Sequence, residues 1–272
     1  MSLPTQAKEH YQQLLYALHT YPQATFFIIR HKLWEGFWKY SWVGRILLLG
    51  AILVGLKFIN SITDWFQATD TSDPLAAMSA AGTLVVKVVS DEYEYLSSGT
   101  MRYVMLILLE VVIFHMCRRT ISILTGQDSD ASMKAFIAAQ VRMIKVVFFC
   151  YLMEMGIGLG IKIFFGIFGF VDFLQPIFLF LISLFFLGYT VMDNYFEQFE
   201  LGIKESMNFS KQFIGIALGV GLVLQVLFMV PVIGTILAPM LAAVTVSIAL
   251  YELTDLHRPA PAPAIIEKDL VQ

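Results

Sequence analysis

Positions 212–251 run for forty residues without a single Asp, Glu, Lys or Arg. One helix needs only about 20 apolar residues to cross a hydrocarbon core roughly 30 Å thick, so this block is twice that requirement. The rest of the chain offers nothing to hide it behind. Hydrophobic residues make up 58% and charged residues 14%, against roughly 45–50% and 25% in an ordinary soluble domain. The mean hydropathy is +0.72. A soluble surface needs a denser charged coat than this, which argues against a soluble enzyme and a disordered tail protein. The formal net charge is −3, with no long basic block, so nucleic acid is not an expected partner. The chain reads as a polytopic membrane protein whose first partner is lipid.

Within 212–251, Pro231, Gly234 and Pro239 mark a hairpin turn. Taking 231–239 as that turn leaves nineteen residues before it and twelve after. Twelve helical residues reach only about 18 Å. Either the second arm continues through Glu252, or the hairpin re-enters the membrane face it left. Val146–Phe170 and Phe173–Met192 form a second hairpin whose turn ends at Pro176, and two longer spans cover Val43–Trp65 and Tyr103–Cys117. The expected fold class is an all-α integral membrane protein. It has two long transmembrane helices plus two tilted or re-entrant helical hairpins, preceded by N-terminal interfacial amphipathic helices. Residues 1–41 form the interfacial segment, 42–255 the membrane domain, and 256–272 a flexible cytoplasmic tail marked by three prolines.

The N-terminal segment reads as two pieces. Tyr11, Leu14, Leu15 and Leu18 recur at helical spacing, Tyr21-Pro22 interrupts, and 24–40 mixes Phe26, Phe27, Trp34 and Trp38 with Arg30, Lys32 and Lys39. Aromatics interleaved with cations suit the headgroup layer; a soluble cap over the bundle is the plainer alternative. No secretory signal peptide is apparent. Cys117 and Cys150 both lie in apolar stretches, which leaves no disulfide framework. Cations crowd before the first span and in 118–145, whereas 66–101 is acidic. The positive-inside rule then puts both termini in the cytoplasm and 66–101 outside.

No motif points to catalysis, and no cofactor or metal is expected, since the five histidines are scattered. Gly156, Gly158 and Gly160 spell GxGxG without a preceding strand. Pairs four apart, Gly156/Gly160 and Gly215/Gly219, read as close helix approaches. Asp193, Glu197, Glu200 and Lys204 fall on one face of a helix leaving the membrane, read as a solvated face with a Glu200–Lys204 pair. Glu110, Glu154 and Lys162 are different. Each lies within a span, where a charge costs at least about 2.5–3.5 kcal/mol, so each needs a buried partner or a polar path.

From about Ala138 to Glu252 a string of features occurs in order: Arg142, the turn 169–176 ending in Pro176, Leu187-Gly188-Tyr189, Met192-Asp193, Gly219-x-Gly221, Val230-Pro231-Val232-Ile233-Gly234 and Ala238-Pro239. This half of the chain resembles the CysZ-type family of sulfate permeases. The resemblance implies passage of sulfate or another small anion through a homo-oligomer in a bacterial cytoplasmic membrane. The first half departs from the pattern: the family's Pro-Gly-basic turn has only Gly44 and Arg45 as counterparts. A helix N-terminus and a guanidinium could together hold an oxyanion there; a cytoplasmic topology anchor is the other reading of Arg45. Arg118, Arg119 and Arg142 are further candidates for anion binding. A non-transporting membrane scaffold or biogenesis factor is the competing function class.

Overall fold

The computed structural model describes residues 3–35, 63, 99–127, 133–167, 173–230 and 233–257. Gly44, Arg45, Pro231, the first expected span apart from residue 63, the acidic segment up to 98 and the tail from 258 lie outside them. The described residues build seven α-helices, and none forms a strand. They are α1 (Leu3–His31), α2 (Gly99–Thr125), α3 (Met133–Ile167), α4 (Gln175–Glu197), α5 (Ile203–Ser210), α6 (Ile214–Phe228) and α7 (Ile233–Leu253). Among the described residues four stretches are long and apolar enough to cross a membrane: Ile137–Ile167, Gln175–Glu197, Ile203–Phe228 and Ile236–Leu253.

Two antiparallel hairpins, α3–α4 and α6–α7, pack through α4 against α6, and α2 lies against α3, α4 and α7. Glycines set the closest approach. A Cβ at Gly188 would sit 1.9 Å from the Ala217 carbonyl oxygen, and one at Gly221 would sit 2.0 Å from that of Leu184. The α4 and α6 backbones therefore touch at two levels, where neighbouring Tyr189, Leu187, Val220 and Leu224 are buried. Gly215 and Gly219 do the same for α1, meeting His10 and Ala17. Gly156 and Gly160, expected to play this part, do not: nothing lies within 4 Å of a Cβ placed on either. They sit on the exposed side of α3, among Phe148, Met155, Leu159 and Ile163. In a bilayer that face meets lipid or another chain.

Several sequence expectations shift. α1 is one continuous helix through Pro22 rather than two pieces. An interior proline forfeits a backbone hydrogen bond and costs about 3 kcal/mol, but α1 packs on α6 and α7, and it is buried before the proline at Ala17 and after it at Ala24 and Ile28. Tyr21 donates to the Val220 carbonyl at 3.3 Å, and Tyr16 donates to the Glu252 carboxylate at 2.5 Å. The spans expected at Tyr103–Cys117 and Val146–Phe170 extend into the cation-rich segment 118–145, because α2 runs to Thr125 and α3 begins at Met133. The last turn is tighter than 231–239. α6 ends at Phe228 and α7 begins at Ile233, so Gly234 lies in the first turn of α7 and Pro239 within the helix. That gives α7 21 residues, long enough that re-entry is not forced by length. Pro176 sits in the first turn of α4, where a missing N–H goes unused.

Candidate functional site

Among the described residues the buried charged side chains lie at three places, each joining α4 to a neighbour. The most elaborate lies where α3 meets the end of α4. Arg142 donates from Nε to Asp193 Oδ2 at 2.8 Å and from Nη2 to Oδ1 at 2.9 Å, a bidentate fork. Its Nη1 donates to the Leu201 carbonyl at 2.6 Å, and Glu197 lies 3.8 Å away. The Ser206 and Tyr189 hydroxyls also donate to Asp193.

Local sequence explains how Leu201 reaches this place. α4 ends at Glu197, and Glu200 adopts a left-handed φ of 59°. The Leu201 N–H then returns to the Phe196 carbonyl at 3.3 Å, the six-to-one bond that closes a helix C-terminus. Gly202 next starts α5, with its N–H held by the Glu205 carboxylate at 2.9 Å. This reversal breaks the face on which Asp193, Glu197, Glu200 and Lys204 were expected to align. Asp193 is buried and paired with Arg142, so that expectation of a solvated face is corrected.

The second place lies about 15 Å further along α4, ten residues at helical rise. Arg102 of α2 pairs with Glu154 of α3 and donates to the Ser183 hydroxyl of α4. Tyr103 donates to the other oxygen of Glu154 at 2.6 Å. Arg102 is 4% exposed, and its Nε has no hydrogen-bond partner among the described residues. Glu154 thus finds its partner on α2, whereas Lys162 is exposed near the far end of α3.

The third lies beside the first, where Asn194 follows Asp193 on α4 and Glu110 of α2 is fully buried. The Asn194 amide donates to Glu110 Oε2 at 3.2 Å.

Of the remaining candidates, Arg118 is half-buried with its guanidinium 5.9 Å from the Phe114 ring, and Arg119 is exposed. Arg102 was the residue that sequence reasoning missed. It precedes the apolar run and reads as a loop cation; only its spacing of eight from Glu110, two turns of one helix, hinted that both lie on one buried face. Among the described residues no three His, Cys, Asp or Glu side chains are grouped to hold a metal ion. Cys117 and Cys150 are buried free thiols.

Among the described residues these elements define an all-helical arrangement with four apolar stretches long enough to cross a membrane, joined internally by ion pairs. Compared with family models, curated proteins and solved structures, the chain matches none.

Proposed function

We propose that the chain passes a small anion across a membrane and that Arg102 is its interior contact. One observation carries the reading: a buried arginine, central among α2, α3 and α4, keeps an N–H without a partner. Guanidinium forks bind carboxylate and sulfate alike. Glu154 occupies the place that an oxyanion would take, and passage requires the anion to displace it. Arg118 and Arg119 lie toward the α2 C-terminus and Lys134 at the α3 N-terminus, which gives that end of the two helices a cationic character. That end is cytoplasmic by the positive-inside rule and would draw anions to it. Sulfate is the first anion to test, and a homo-oligomer the first assembly, because the sequence resemblance implies both.

A second reading, a non-transporting scaffold, is favoured by Arg142. Its guanidinium is engaged by Asp193 through a bidentate fork and by the Leu201 carbonyl, with Glu197 at 3.8 Å, as a structural clamp would be. Radiolabelled sulfate flux into proteoliposomes separates the two. Transport predicts uptake above empty vesicles, a loss of at least tenfold in Arg102→Ala, and partial recovery in Arg102→Lys at equal reconstitution. Wild-type vesicles indistinguishable from empty ones for sulfate, sulfite and chloride would overturn transport in favour of the scaffold.

A further inference from the structure

Glu110 and Asn194 present an odd pattern of vacancies. Both side chains are almost wholly buried, Glu110 at 0% and Asn194 at 2% exposure. Asn194 Nδ2 donates to Glu110 Oε2 at 3.2 Å and also to the Thr190 carbonyl at 3.4 Å. The two remaining side-chain oxygens, Glu110 Oε1 and Asn194 Oδ1, have no hydrogen-bond partner among the described residues. Both are acceptors. An ionised carboxylate has no hydrogen to offer the amide carbonyl, so both atoms stay unsatisfied in a place that water does not reach. A single proton satisfies both at once.

We infer that Glu110 holds a proton in the folded bundle and donates it from Oε1 to the Asn194 carbonyl. Acid and amide are then joined by two antiparallel hydrogen bonds that fasten α2 to α4.

The charged surroundings fit a neutral acid. α4 contributes Asp193 and Glu197, two carboxylates, and α3 contributes Arg142, whose fork is already closed on Asp193. α7 carries no charge until Glu252 at its end, and on α2 itself the nearest titratable neighbour toward α7 is the buried Cys117. Among the described residues Arg142 is the one cation whose charge reaches Glu110, and it is already committed to Asp193. The proton site therefore stands whichever reading of function holds, since it involves neither Arg102 nor an anion.

The test is infrared difference spectroscopy on the purified full-length protein at neutral pH, wild type against Glu110→Gln. Expected is the carbonyl band of one protonated, hydrogen-bonded carboxyl per chain, absent from the variant. Asn194→Leu should keep that band and move it toward the position of a free acid. Because glutamine reproduces both hydrogen bonds without a charge, Glu110→Gln should melt as the wild type does. A difference spectrum carrying only ionised carboxylate bands would overturn the inference, as would failure of Glu110→Gln to fold. Carboxylate bands accompanied by sodium-dependent melting that Glu110→Gln abolishes would overturn it in favour of a bound cation.

Discussion

Arg142 on α3 and Asp193 on α4 face each other through two nearly equal hydrogen bonds, 2.8 and 2.9 Å, the parallel fork in which a guanidinium satisfies both carboxylate oxygens. The pair ties the helices of one hairpin together inside the bundle. Asp193 has a side chain only 3% exposed. A charge so placed is tolerable only with its partner present.

Removing one member should therefore cost more than removing both. Arg142→Ala or Asp193→Ala is expected to destabilise the bundle by about 3–5 kcal/mol, while a double apolar replacement, Arg142→Met with Asp193→Leu, should recover most of that. Melting of the detergent-solubilised protein, followed by circular dichroism, measures both. A double variant no better than the singles would mean that the hydroxyl and carbonyl contacts dominate instead.

The glycines offer a comparison within one protein. Gly188→Ala and Gly221→Ala force a methyl into a backbone carbonyl less than 2.1 Å away, which overpacks the α4–α6 contact by about 1–3 kcal/mol or more. Gly156→Ala and Gly160→Ala meet open space and should be neutral or stabilising by up to about 1 kcal/mol, through helix propensity alone. The same melting curves test the pair. Equal losses at all four positions would refute the packing described for α4 and α6.

Docking of α1 should weaken in alkali. Burial, then the hydrogen bond to Glu252 and its charge, push the Tyr16 phenol above its ordinary value. A group whose folded value is raised gives stability that is complete below the unfolded value of about 10 and is lost as pH climbs past it. Tyr16→Phe should lose about 0.5–1 kcal/mol at neutral pH, the worth of one partly exposed hydrogen bond. The difference between variant and wild type should shrink above about pH 10, where the wild type begins to lose what the variant never had. A gap that widens there would reverse the sign and reject the argument.

Topology can be read from two exposed positions. Lys134→Cys, at the start of α3, should react with an impermeant maleimide only from the cytoplasm, and Phe173→Cys, just before α4, only from outside. Both natural cysteines are buried, so background labelling should be low. Exchanged accessibility would invert the bundle.

Much of the fold was legible because lipid imposes a simple code. Charge-free stretches of about 20 residues have few alternatives to a crossing helix, and residues 173–192 and 212–251 declared themselves that way. Element ends were harder. Pro239 and Pro22 read as breaks, yet both lie within helices, because packing on neighbours outweighs the single backbone hydrogen bond that a proline removes. The glycine pairs show the same limit. Gly215/Gly219 and Gly156/Gly160 share one spacing, and only the first pair meets another helix.

The sequence by itself determined that this chain is helical and membrane-spanning, and that Glu110 and Glu154 need partners inside it. Those conclusions rest on the cost of placing charge and unpaired backbone in hydrocarbon, which each residue bears wherever it sits. Only the tertiary structure decided who the partners are: Arg102 for Glu154, Arg142 for Asp193, and Asn194 for Glu110, across 52, 51 and 84 positions of chain. Helical periodicity places side chains on a face but carries no information about which other face it will meet. That choice is made by shape, where Gly188 and Gly221 let α4 and α6 touch and thereby turn Asp193 and Asn194 toward α3 and α2.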